Sequence, residues 1–296
     1  MKLYPHLVLL VLIVLISGCV GNNSILSAIG LDISPTESFY IGSENLNLDV
    51  EAIPDEVYEG KTTTLYFDLE NTGDIDIRDI NLEMTDINQF TGSEDTKKID
   101  ILRKGDTYSW NWDFSLPDDI VEDERDVSLR YVFDYKSNTS SIYEIVAMTQ
   151  AEYSRLERDG DIESMYNLSY FKTKSPVEID ISISKEQPIF EDLEFYLYIE
   201  LRDTDDGYIE NIKTGGLTVE YPDFLEFVKS SDFVDEPANN RISLSRALSF
   251  IDKETKKAAC KFRVKDVNIV SSGQFKAEAS YLYGYYKTLN IKLKPK

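Results

Sequence analysis

Period-two alternation, repeated segment after segment along nearly the whole chain, constrains this sequence more than anything else in it. Leu46, Leu48, Val50 and Ala52 form one apolar stripe, Leu65, Phe67 and Leu69 a second, and Ile80, Leu82 and Met84 a third. Tyr108, Trp110, Trp112 and Phe114 follow, then Val127, Leu129, Tyr131, Phe133 and Tyr135, then Tyr143, Ile145 and Ala147. Side chains alternate across a strand, so each stripe is one buried face of a half-exposed β-strand. Turn chemistry punctuates the series at Pro54-Asp55, Glu59-Gly60-Lys61, Asn71-Thr72-Gly73-Asp74, Lys104-Gly105-Asp106 and Ser137-Asn138-Thr139. Short strands with one apolar face, spaced this closely, predict an antiparallel β-sandwich.

A second series begins after Pro176 with Val177, Ile179, Ile181 and Ile183, then Leu193, Phe195, Leu197, Ile199 and Leu201. Leu217, Val219 and Tyr221, Ile242 and Leu244, and the strand around Cys260 continue it. Phe275, Ala277, Ala279, Tyr281, Tyr283 and Tyr285 make an aromatic ladder, and Leu289, Ile291 and Leu293 read as a closing strand. The two series share a strand, proline turn, long strand opening and an aromatic ending, which predicts a tandem repeat of one sandwich. Between them, Tyr153 and Leu156 among Glu152, Arg155, Glu157 and Arg158 suit a short amphipathic helix before Gly160. The predicted organisation is all-β: a leader at 1–18, a tether at 19–44, sandwiches at 45–148 and 175–296, and a helical connector at 149–174.

The leader rests on Met1-Lys2-Leu3, an apolar run at 7–16, and Ser17-Gly18-Cys19. A basic start, a short apolar core and a small-residue exit make a secretory signal, too short to span a bilayer. Ser17-Gly18-Cys19 resembles the lipobox of prokaryotic lipoproteins. That resemblance implies a lipid on Cys19 and a protein held at the extracellular face of the cytoplasmic membrane.

Composition narrows the chemistry. The 296 residues hold 54 acidic against 31 basic side chains, a net charge of -23. Such a surface repels nucleic acid, so no nucleic-acid partner is expected. The only histidine is His6, inside the leader. Histidine-based triads, histidine acid-base chemistry and the usual zinc or copper sites are therefore not expected downstream. With Cys19 lipidated, Cys260 has no partner for a disulfide, and its alternating neighbours place it on a buried strand face.

Two acidic segments are the candidate cation sites. Asp203, Asp205, Asp206 and Gly207 suggest a calcium loop, yet an EF-hand register would place Arg202 first and Lys213 twelfth, where carboxylates are required. A looser calcium loop and a solvated hairpin turn are the remaining readings. Asp118, Asp119, Glu122 and Asp123, in the acidic run 117–126, read as a solvated loop, a calcium site or a docking point for a basic partner. Asn22, Asn138 and Asn167 begin Asn-x-Ser/Thr sequons, candidate glycosylation sites in an exported protein. The stripe Tyr108, Trp110, Trp112 and Phe114 is expected to fill the core, with one ring of so large a stripe reaching the surface; an exposed sugar-stacking platform is the alternative. Paired carboxylates are plentiful, so a carboxylate-dependent extracellular hydrolase is an alternative on residue supply alone. No acidic residue, however, stands in an otherwise apolar strand face, the setting that would raise a pKa.

The segment 50–84, VEAIPDEVYEGKTTTLYFDLENTGDIDIRDINLEM, resembles the opening of CARDB-type and related immunoglobulin-like domains of prokaryotic, especially archaeal, surface proteins. The resemblance runs through the strand ending at Pro54, the turn Glu59-Gly60-Lys61, and the turn Asn71-Thr72-Gly73. The second series departs from it at 186–191, which lacks the glycine, and at Asp203-Thr204-Asp205-Asp206-Gly207. It implies an immunoglobulin-like fold used for adhesion or as a spacer, with an unnamed protein or glycan partner, and no reaction.

Overall fold

The computed structural model describes residues 38–92, 96–119, 121–159, 169–236 and 239–296. The leader, Cys19 and Asn22, most of the expected tether, and Asn167 lie outside the described residues. Ser38–Lys296 forms one compact unit. Among the described residues it is all-β apart from one helix, with three sheets of eleven, seven and four strands.

The axis of the unit is a two-stranded antiparallel ribbon. Arg125–Met148 and Val270–Lys294 pair in unbroken register from Leu293 opposite Arg125 to Val270 opposite Met148. At about 3.4 Å per residue the 24-residue strand extends on the order of 80 Å. Both strands alternate buried and exposed positions over most of this length, so one face of the ribbon is core throughout.

The ribbon anchors the eleven-stranded sheet. Beside Arg125–Met148 lie Ile77–Asp86 with Thr96–Leu102 outside it, then Tyr170–Lys174, then Ile189–Phe190. Beside Val270–Lys294 lie Glu56–Tyr58, paired parallel, and Leu217–Glu220, followed by Arg241–Leu244 and Phe233–Glu236. The four-stranded sheet, Leu46–Ile53, Thr62–Asn71, Thr107–Ser115 and Thr91–Gly92, faces one end of the ribbon. Phe67 meets Tyr131 across that gap edge-on at 6.2 Å. The seven-stranded sheet, centred on Glu194–Asp203, faces the other end, where Phe195 and Phe262 pack on Phe275 at 6.4 and 5.4 Å. Two sheet-on-sheet cores thus share one backing sheet.

Most stripes fall where alternation predicts. Leu65, Phe67, Leu69, Ile80, Leu82 and Met84 are buried, as are Val177, Ile179, Ile181 and Cys260. The predicted helix exists as Gln150–Asp159, with Leu156 buried.

Five expectations need correction. Ser137-Asn138-Thr139 is not a turn but the middle of Arg125–Met148, because an equally long partner strand completes its ladder. Leu289–Leu293 is likewise no separate closing strand; it continues the tyrosine ladder of Val270–Lys294. Tyr170–Lys174, assigned to the connector, is a sheet strand, and so is Ser38–Ser43, assigned to the tether and paired parallel with it. The boundary at 149–174 does not part the sheets, since the long strand before it pairs with the long strand at the far end of the second series.

Candidate functional site

Halfway along the inner face of the ribbon the apolar pattern turns polar. Tyr135 stands opposite Tyr283, and Ser137 opposite Tyr281, with Tyr285 opposite Phe133. Tyr135 and Tyr283 meet edge-on with ring centroids 6.1 Å apart. Aromatics at directly opposed positions fill the space between sheets, but each phenol brings a hydroxyl that needs a partner.

The partners arrive from two other segments. Glu44, just past Ser38–Ser43, is 8% exposed. Its backbone N–H donates to Lys174 O at 2.7 Å, and Ser137 Oγ donates to its carboxylate at 2.5 Å. From the end of Glu194–Asp203, Asp203 Oδ1 accepts from Tyr283 Oη at 2.8 Å and Asp205 Oδ2 from Tyr285 Oη at 2.5 Å. Tyr283 Oη accepts the Gly207 N–H at 3.0 Å, and Tyr281 Oη accepts the Val177 N–H at 3.2 Å.

Burial dominates the electrostatics of this cluster. It holds Tyr135, Tyr281, Tyr283 and Tyr285 above the ordinary phenol range, so they remain hydroxyl donors. Burial also pushes the Glu44 carboxyl up to about 7, against the opposing hydrogen bond from Ser137. Glu44 stands just past a strand, where an expectation about strand faces does not reach. One acidic letter beyond a strand carries no pattern, so alternation had no means of marking it.

The candidate calcium loop packs against the ribbon. Asp203 is 6% exposed and turned inward to Tyr283, while its carboxylate also caps the Asp205 N–H at 3.2 Å. Asp205 accepts from Tyr285 and from the Asp206 N–H, and Asp206 lies 3.8 Å from Lys253 Nζ. The loop is a fastening onto the ribbon.

In the acidic run, Asp118 pairs with Lys296 and Glu124 with Lys292, each at 2.5 Å. The Val121 N–H donates to the buried Glu59 carboxylate at 2.5 Å. Asp119, Glu122 and Asp123 are exposed, with Asp119 in the left-handed region at φ 63°. Among the described residues, no three carboxylate, cysteine or histidine side chains gather in metal-holding geometry.

Asn138 is exposed in mid-strand, with its Oδ1 bonded to Ser280 Oγ at 2.5 Å. In the aromatic stripe, Trp112 and Phe114 are buried and Trp110 stacks on Phe67 at 5.1 Å. Tyr108 is the ring that reaches the surface, at 38% exposure, with Lys97 Nζ 5.7 Å from its centroid.

The outer face of the ribbon carries a cleft of about 380 Å³. Leu282, Ser280 and Lys136 form its floor, Asp79 one wall, and Tyr208, Glu210, Asn211 and Lys213 the other. The wall at Asp79 exists because Ile77–Asp86 bulges there, with Asp79 at φ 52°. Tyr208 is clamped to the ribbon by two backbone bonds with Gly284, N–H to O at 2.7 Å and O from N–H at 3.0 Å. A Cβ on Gly284 would lie 2.6 Å from the Tyr208 ring, so glycine is what lets that ring lie flat on the strand. Tyr208 then stacks on Tyr286 with centroids 4.6 Å apart and planes 21° apart. None of these residues was a candidate from sequence. The signal available was the unbroken run Tyr281-Leu282-Tyr283-Gly284-Tyr285-Tyr286, in which alternation fails because both faces are apolar.

No family model and no curated protein matches the chain. Among solved structures, the chain is similar to a protein of unknown function from Porphyromonas gingivalis W83, at 8% identity and a TM-score of 0.22, covering 74% of this chain and 83% of that one. It is also similar to the secreted serine protease VesC from Vibrio cholerae, at 8% identity and a TM-score of 0.22, covering 83% of this chain and 51% of that one.

Proposed function

We propose that this protein is a non-catalytic surface lipoprotein: a lipid on Cys19 holds it to the outer face of the cytoplasmic membrane, and two immunoglobulin-like halves serve as an adhesion, binding or spacer module. The observation that carries the reading is the ribbon. A continuous ladder shared by both cores resists bending at the point where tandem domains ordinarily hinge, which suits a part that holds a surface at a distance. The cluster of Glu44, Asp203 and Asp205 with the tyrosines supports the same reading, because its polar groups are spent on each other. Anchoring follows from the sequence of Ser17-Gly18-Cys19, and two acyl chains on Cys19 make a stable hold where one gives marginal retention.

The test is fractionation of cells expressing the full chain and its Cys19→Ser variant. The native chain is expected in the detergent phase on Triton X-114 partitioning, and the variant in the aqueous phase. A variant that stays in the detergent phase overturns the anchor.

A further inference from the structure

We infer that the outer cleft of the ribbon is a binding site for a neutral sugar, one or two pyranose rings long. The inference rests on the binding role proposed above and not on the anchor, because the cleft lies wholly within Ser38–Lys296.

The first observation is where apolar surface is left uncovered. Outward positions on Val270–Lys294 run Gln274, Lys276, Glu278, Ser280, Leu282, Gly284, Tyr286, Thr288, Asn290 and Lys292. The row is polar except at Leu282 and Tyr286, which are 54% and 73% exposed and flank the glycine under Tyr208. Val132 stands directly opposite Tyr286 on the partner strand. A solvated sheet face gains nothing from exposing a leucine and a stacked tyrosine pair, and an apolar island rimmed by polar groups marks a contact surface.

The second observation is rigidity. Tyr208 is fixed by its backbone bridge, by its seat on Gly284 and by its stack on Tyr286. Burial, aided by Tyr286, pushes its phenol up to about 12. A platform already ordered before binding avoids the entropy of immobilising its side chains.

The third is charge. Asp79 and Glu210 are balanced by Lys136 and Lys213, with Lys136 Nζ 3.9 Å from Asp79. The cleft selects neither anion nor cation. Together with Asn211 and Ser280 these groups offer both donors and acceptors around an apolar floor. That is the complement of a pyranose, whose C–H face packs on an aromatic or aliphatic surface while its hydroxyls bond at the rim. The volume lies within the range of about 300–1,000 Å³ for small-molecule sites. An extended peptide is disfavoured, because its usual mode is to add to a free strand edge. At the cleft the ribbon pairs with Ile77–Asp86 on one side and bridges Tyr208 on the other, so its backbone there is already engaged.

The experiment is saturation-transfer NMR and calorimetry on the detergent-solubilised full chain. The probes are cellobiose, mannobiose and diacetylchitobiose, with trigalacturonate as the anionic comparison. At least one neutral disaccharide is expected to bind, in preference to trigalacturonate. Tyr208→Ala and Leu282→Ser are each expected to weaken binding at least tenfold. Leu282 is exposed, so its variant keeps the test valid if Tyr208→Ala fails to fold. Tyr66→Ala, an exposed tyrosine on the four-stranded sheet, is expected to leave binding unchanged. Absence of binding by all three neutral sugars at about 10 mM overturns the inference. So does binding that survives Leu282→Ser unchanged, binding that falls equally in Tyr66→Ala, or a preference for trigalacturonate. The anchor is read separately, by phase partitioning of Cys19→Ser, so the two failures are distinct.

Discussion

Glu44 is the residue whose behaviour departs furthest from its type. Ser137 donates to it, and its charge adds to burial in opposing the ionisation of Tyr135, Tyr281 and Tyr285. With a folded value near 7 against an ordinary 4.5, the folded state holds this proton more tightly than the unfolded chain does. The contribution is therefore fully present below about 4.5 and is lost as pH rises through about 7. Glu44→Gln keeps an acceptor for Ser137 without the charge. It is expected to match the native chain at pH 4 and to exceed its stability at pH 8 by up to about 3 kcal/mol. Melting temperature against pH for both chains checks this, and parallel curves would show that Glu44 carries no excess proton. The residue scale is also where sequence reading was weakest. Tyr283 reads as ladder and Asp203 as a candidate calcium ligand, but 80 positions separate them and no local pattern links a phenol to its acceptor.

Elements were more legible, for a physical reason. Period two reports which face of a strand is buried, and burial is the strongest force on each segment, so most stripes from Leu46 to Ile183 face the core where the pattern puts them, Tyr108 apart. Period two says nothing about which strand lies alongside. The Ser128–Asn290 hydrogen bond spans 162 positions, and the partner it reveals is what turns Ser137-Asn138-Thr139 from an expected turn into ladder. The acidic loop after Glu194–Asp203 is held to this ladder through Gly207. A Cβ there would collide with the Tyr283 ring and lie 2.5 Å from Gly284 O. Gly207→Ala is expected to cost about 1–3 kcal/mol by lifting the loop from Tyr283, measured as a lower denaturant midpoint. Gly215→Ala is no control for crowding alone, since Gly215 sits at φ 74°, where any Cβ is strained. An unchanged midpoint in Gly207→Ala would mean that the loop is not fastened there.

At the scale of the molecule, the shared sheet makes the two cores energetically one. Both tryptophans, Trp110 and Trp112, lie in the first series, so their fluorescence reports that half alone. Phe275 lies in the second core against Phe195 and Phe262, fully buried. Phe275→Ala is expected to cost about 3–5 kcal/mol and to shift the tryptophan transition together with the far-ultraviolet signal. A tryptophan midpoint that stays in place would show two independent halves joined only by chain. The parallel pairing of Glu56–Tyr58 with Lys292–Lys294 carries this coupling into time. The early strand Glu56–Tyr58 has no place in its sheet until Lys292–Lys294 have been made, so a growing chain holds that strand unpaired across most of the 238 positions from Glu56 to Lys294. Synthesis of this protein therefore leaves a long interval in which unpaired strands must be kept from one another, and the burden falls on whatever shields nascent chains.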